Sequence, residues 1–188
     1  MAATAWTVTP SGPLRGDVFV RGSKNAVTKH MVAAVLGEGP SVIRRVPEVG
    51  DVTITTEILR SLGVSVDHDL AAGAITVEPH ATVATEVPLS FSGLNRIPIL
   101  LLGPLLHRNG EAFVPFVGGD QIGRRPVDFH VDALRSMGAE IEVTDDGIRA
   151  KASRLHGATI ELPYPSAGAT ETVLPSAVLA EGRPVLRG

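Results

Sequence analysis

The chain repeats itself. Leu59-Arg60-Ser61-Leu62-Gly63-Val64-Ser65-Val66 returns as Leu134-Arg135-Ser136-Met137-Gly138-Ala139-Glu140-Ile141. A second echo pairs Leu36-Gly37-Glu38-Gly39-Pro40-Ser41-Val42-Ile43 with Leu179-Ala180-Glu181-Gly182-Arg183-Pro184-Val185-Leu186, and the LLHRNGEAF stretch at 105–113 follows the same plan more loosely. Each echo describes a helix that closes at a glycine able to take the left-handed conformation, followed by an apolar strand. Leu-Arg-Ser-x-Gly alone is a common way to end a helix. Two unrelated echoes kept in the same order point instead to a duplicated unit.

A coarse reading supplies the rest of that unit. Alternation at 17–20 predicts a strand, Ser23 is placed to cap a helix over 24–36, and Val42 with Ile43 opens a second strand. A helix over 52–62 carries Ile54, Ile58, Leu59 and Leu62 near one face, and 64–66 with 75–77 reads as a two-stranded ribbon. The order is β-α-β-α-β-β. A second copy is expected over about 88–152, with helices at 95–106 and 125–137. A third starts at Thr159 with Ile160-Glu161-Leu162, continues as a helix over 169–180, and reaches Gly188 one strand later. The fold class is therefore α+β, with two full units and a truncated third. A third unit without its second helix and ribbon leaves an apolar face and a strand edge uncovered, so the chain is expected to be an incomplete piece.

Composition narrows the function classes. A length of 188 residues suits one domain or part of a larger protein. Aromatics are only 4% of the chain against 44% hydrophobic residues, so the core must be built of Val, Leu, Ile and Ala. A net charge of −3 gives no global attraction to nucleic acid or anionic lipid, and any anion must be held by a local constellation. With no cysteine, a disulfide frame, a thiolate nucleophile and a Cys-based metal site are all excluded. The N-terminus MAATAWTVTP has no basic start or apolar stretch of a signal peptide. The longest apolar segment, 97–106, is too short to span a membrane and is broken by Gly103 and Pro104; a cytoplasmic protein is expected. The six histidines show no metal-binding spacing, so no metal or other cofactor is expected and most are predicted to lie on the surface.

Three strand-to-helix junctions can carry chemistry. Gly22-Ser23-Lys24-Asn25 offers a helix N-terminus and a full positive charge to an anion. Taken locally, the sequence favours plain capping by Ser23 with a solvated lysine. Gly118-Gly119-Asp120-Gln121-Ile122-Gly123-Arg124-Arg125-Pro126-Val127-Asp128 joins a glycine-rich loop to two guanidinium forks suited to phosphate. Asp120 is placed as a general acid, since a carboxyl near phosphate keeps its proton more readily. A surface loop of exposed Arg–Asp pairs accounts for the same residues equally well. Pro165-Ser166-Ala167-Gly168-Ala169-Thr170 leads into a helix as an N-cap, with anion binding the less favoured reading.

In order along the chain, these junctions together with Leu-Gly-Pro-Leu at 102–105 resemble UDP-N-acetylglucosamine 1-carboxyvinyltransferase, an enolpyruvyl transferase. The resemblance runs essentially the whole length of this chain and covers somewhat under half of a family member. It implies an inside-out α/β barrel built of repeated βαβαββ units. Residues 1–21 would belong with the other domain, and 22–188 would form an enolpyruvyl transferase domain incomplete at its C-terminus. It implies phosphoenolpyruvate and a UDP-sugar as partners, with neither nucleic acid nor membrane. By motif, Lys24 and Arg125 would hold the phosphate of phosphoenolpyruvate, Asn25 would touch the sugar or reacting groups, and Arg96 would be a second basic contact near the acceptor. Arg125, Pro126, Val127, Asp128 and Phe129 would cradle uridine, Ser166, Ala167 and Gly168 the diphosphate, and Asp120 would protonate carbon 3.

Two departures bear on the acceptor. Leu100 replaces a larger aromatic near the sugar, and Tyr164 stands where a nucleotide-contacting lysine is common. They keep open transfer to another nucleotide's hydroxyl, as in specialised nucleoside biosynthesis. The related shikimate-pathway synthase typically has Lys-Ser where this chain has Lys24-Asn25. A non-catalytic half-protein that binds a nucleotide, or pairs with a complementary C-terminal half, is the reading from a different class. In the family the general base for the acceptor hydroxyl and further phosphate-binding arginines belong to the second half, so this chain alone is expected to be inactive.

Overall fold

The computed structural model describes residue 5, residues 7–119 and residues 126–188. Ser23 starts the first helix as expected: its hydroxyl accepts from the Ala26 N–H at 3.3 Å, and α1 runs Lys24–Ala34. β1 (Ser41–Arg44), α2 (Gly50–Ser61), β2 (Ser65–Asp69) and β3 (Ala74–Glu78) follow. The ribbon β2–β3 is antiparallel, and β1 adds antiparallel to the other edge of β3, giving the order β1-β3-β2.

The next stretch repeats that arrangement. A 3-10 turn at Ile97–Leu101 runs into α3 (Leu102–Asn109), then β4 (Glu111–Pro115), α4 (Asp128–Ser136), β5 (Glu140–Val143) and β6 (Gly147–Lys151). Their sheet is again antiparallel, ordered β4-β6-β5. The last elements are β7 (Thr159–Glu161), α5 (Ala167–Val178) and β8 (Val185–Arg187), with β7 and β8 paired in parallel. The architecture is mixed α/β.

Four expectations need correction. No strand forms at 17–20: Val18, Phe19 and Val20 are 86–95% exposed and have no ladder partner among the described residues. Alternation alone does not make a strand, because its backbone N–H and C=O groups need a second strand to bond. The helix expected over 95–106 is split, with a 3-10 turn holding Pro98 before α3 begins at Leu102. α5 starts at Ala167, two residues earlier than expected, because Ser166 caps it by accepting from Ala169 N–H at 3.3 Å. Gly37 does not take the left-handed conformation that Gly63, Gly110, Gly138 and Gly182 adopt. The free carbonyls at that end of α1 go instead to Arg108 of α3, which donates to Val35 O (2.6 Å), to Gly37 O and, beyond the helix, to His80 O (3.0 Å).

The core gathers around the segment the sequence marked as its longest apolar run. Ile99, Leu101, Leu102 and Leu105 are fully buried, and α1 and α5 both pack on the Ile97–Leu101 turn. Each such side chain contributes about 1.5–3 kcal/mol on burial. α3 and α5 approach closely at Gly103, where a Cβ would collide with Ser176 Oγ. No described helix is long and apolar enough to cross a membrane.

Candidate active site

Helix starts are where this fold leaves backbone N–H groups without intrahelical partners. Three of them open on one cavity of about 790 Å³. Lys24 and Asn25 are the first residues of α1, Asp128, Phe129 and His130 those of α4, and Ala167 and Gly168 those of α5; all seven line it. Each helix start carries the equivalent of about half a positive charge, so their convergence favours an anion. Arg96, Pro126, Ser166 and the Gly118-Gly119 backbone complete much of the wall.

Charges are distributed unevenly around it. Lys24 Nζ lies 2.9 Å from Asp51 Oδ2, and Lys29 of α1 lies 3.6 Å from Glu171 of α5. Both pairs are partly exposed, so they add little stability and leave the ions accessible to a ligand. Arg96 donates to Pro126 O at 2.8 Å and to His130 Nε2 at 3.2 Å. Tyr164 meets Phe129 edge-on, centroids 4.8 Å apart, as an aromatic pair on the wall.

His130 is the exception to the expectation that most histidines lie on the surface. It is 2% exposed, with Nδ1 2.7 Å from the buried Thr172 hydroxyl. Burial, with the Arg96 guanidinium adding to it, lowers its pKa to about 4 against the opposing pull of Asp128. The imidazole is therefore neutral at pH 7.

Of the residues proposed from sequence, the structure brings together Lys24, Asn25, Arg96, Pro126, Asp128, Phe129, Ser166, Ala167 and Gly168. Val127 packs on the hydrophobic core and is not on the cavity wall. Asp120 and Arg125 lie outside the described residues. Leu100 is a core residue, 4% exposed and away from the cavity, so its identity does not shape the acceptor site directly. Sequence reasoning missed Asp51, Lys29, Glu171, His130 and Thr172. Only His130 left a signal: with Val131 and Leu134 it sits on the buried stripe of α4. Among the described residues, no group of three or more His, Asp or Glu side chains is placed to hold a metal ion.

The chain is 46% identical over 178 residues to the UDP-N-acetylglucosamine 1-carboxyvinyltransferase of Chlamydia pneumoniae, covering 94% of this chain and 39% of that protein. It is 43% identical over 176 residues to the enzyme of the same name from Halorhodospira halophila, covering 93% and 41%. The chain thus spans about 40% of the length of the curated relatives it matches. Among solved structures, the enolpyruvyl transferase NikO from Streptomyces tendae superposes with a TM-score of 0.79 at 25% identity, over 92% of this chain and 40% of that one. An EPSP synthase from Acinetobacter baumannii shares the fold, with a TM-score of 0.71 at 22% identity, over 89% of this chain and 39% of that one. Residues 8–188 match the model of the EPSP synthase (3-phosphoshikimate 1-carboxyvinyltransferase) family, and the chain belongs to that family of enolpyruvyl transferases.

Proposed function

We propose that the cavity is one wall of a site that transfers the enolpyruvyl group of phosphoenolpyruvate to the 3-hydroxyl of UDP-N-acetylglucosamine, in cell-wall precursor synthesis. The observation that carries this reading is the convergence of the α1, α4 and α5 starts with Arg96 on a single cavity. The acceptor oxygen bonds to carbon 2 while Asp120 delivers a proton to carbon 3, forming a tetrahedral intermediate. Phosphate then leaves carbon 2 as carbon 3 loses a proton, restoring the double bond. Lys24 and Arg125 hold the phosphate through both steps, where negative charge must be stabilised, and Arg96 is a second basic contact near the acceptor. Asn25 contacts the sugar or the reacting groups. Residues 125–129 hold uridine, and Ser166, Ala167 and Gly168 hold the diphosphate through backbone N–H groups, since the Ser166 hydroxyl is engaged in its cap.

The base for the acceptor hydroxyl and further phosphate ligands are assigned to protein beyond these residues, which span about 40% of the relatives' length. Residues 7–21, exposed along their whole length, are assigned to packing with that other part, and the repeated βαβαββ units to an inside-out barrel. The protein is read as acting in the cytoplasm. A second reading, transfer to the hydroxyl of another nucleotide, is favoured by Tyr164, which puts a ring rather than an ammonium beside Phe129.

Titration of the chain with UDP tests the nucleotide site. Weak binding near the millimolar range, about −4 kcal/mol, is expected with one face of the cleft present. Arg125→Ala should weaken it at least about tenfold through loss of a bidentate contact, while Arg135→Ala leaves it unchanged. Equal binding by wild type and Arg125→Ala would mean that the nucleotide site is misplaced. Steady phosphate release by the chain alone would overturn the assignment of the base elsewhere.

A further inference from the structure

Arg96 reaches the cavity from the start of the 3-10 turn at Ile97–Leu101, where its side chain makes no cap hydrogen bond. Its guanidinium donates instead to Pro126 O at 2.8 Å and to the ring of His130. A guanidinium has donors only, so its 3.2 Å contact with His130 Nε2 requires a lone pair on that nitrogen. The ring proton then sits on Nδ1, where it meets the Thr172 hydroxyl at 2.7 Å. Thr172 is fully buried on α5, so the acceptor for this proton does not wander. Gly168, one turn earlier on α5, lies against the same two groups: a Cβ there would stand 3.4 Å from His130 Cε1 and Nε2 and 3.8 Å from Arg96 Nε. Thr172, His130 and Arg96 thus form a relay from the interior of α5, through α4, to the cavity wall.

We infer that Thr172 and His130 are positioning residues that help fix the direction of Arg96, Thr172 by accepting the Nδ1 proton and so stabilising the ring tautomer that leaves Nε2 as an acceptor. The other tautomer would place an N–H against the guanidinium, donor against donor, and turn Arg96 away. A protonated ring would do the same and add a like charge. The groups facing His130 are Arg96, Asp128 and Thr172. The value of the relay for ligand binding rests on the enolpyruvyl transferase reading above; the relay itself does not.

The test uses the 188-residue chain with a nitrogen-15-labelled histidine ring, and UDP as the probe. At pH 7, ring nitrogen shifts of the wild type should report the proton on Nδ1, the less common tautomer. Thr172→Val should shift the ring toward the Nε2–H form, move the Arg96 Nε–H resonance, and weaken UDP binding about tenfold. Thr172→Ser, which keeps the hydroxyl, should restore all three. An Nε2–H tautomer in the wild type overturns the inference without any variant. So do unchanged His130 and Arg96 resonances in a folded Thr172→Val chain; UDP binding equal to wild type alongside moved resonances would overturn the bearing of the relay on the nucleotide site. If the resonances respond as expected but the wild type does not bind UDP, the relay stands and the nucleotide reading fails.

Discussion

Helices α2 and α4 occupy matching positions in the two copies of the repeat, and they agree at one end and part at the other. At their C-termini the resemblance is physical as well as alphabetical. Arg60 donates to Val66 O at 2.6 and 3.2 Å, and Arg135 donates to Ile141 O at 2.9 Å, each reaching the strand that follows its helix. Gly63 and Gly138 both turn the chain with positive φ, +83° and +94°. One helical turn earlier the helices diverge. Thr55, fully buried, bonds back to Asp51 O at 2.6 Å within its own helix. The matching place in α4 holds His130, which bonds outward to Arg96 and Thr172. A threonine closes on itself; a histidine recruits neighbours. The duplicated end serves folding, and the end that differs serves the cavity.

The strongest challenge to this comparison is at the shared end. Leu59 and Leu134 match in the repeat and are both fully buried. Leu59→Ala and Leu134→Ala should each cost about 2–5 kcal/mol in denaturant unfolding. If one proves nearly neutral, the two copies are not equivalent packing units.

Acid should separate the ends next. The folded His130 pKa of about 4 lies below the usual 6.5, so the unfolded chain binds the proton more tightly. Stability from this group is fully present above about pH 6.5 and is lost as pH falls toward 4, by up to about 3 kcal/mol. In His130→Gln that share of the acid loss should vanish. Thr55→Val, at the matching position, should leave it in place. An unchanged acid slope in His130→Gln would mean that other groups dominate that window.

The smallest expected effect compares the two arginines. Arg60→Ala removes partly buried hydrogen bonds and should cost about 1 kcal/mol, whereas Arg135→Ala removes an exposed one and should cost about half as much. Thermal unfolding resolves the difference, and a reversed order would show that Arg135 does more than tie helix to strand.

Much of the fold could be read from short-range chemistry. The caps at Ser23 and Ser166, the left-handed Gly63 and Gly138, and the β2–β3 ribbon all depend on residues a few positions apart. Where a partner lay far along the chain, local reading failed. The alternation at 17–20 says nothing about whether another strand stands alongside, and Gly37 could not announce that Arg108 would satisfy its carbonyl from 71 residues away.

The family resemblance named several of the cavity residues, while sequence by itself determined the helix–glycine–strand rhythm and the aliphatic character of the core. Those properties follow from side-chain shape, backbone freedom and capping, which act within a turn or two. Tertiary structure alone decided that the starts of α1, α4 and α5 face one cavity, and that Leu100 points into the core instead. It also decided that His130 is buried and neutral. A buried polar group is tolerable only if partners reach it, and here they arrive from residues 96 and 172, brought together by packing of the hydrophobic core.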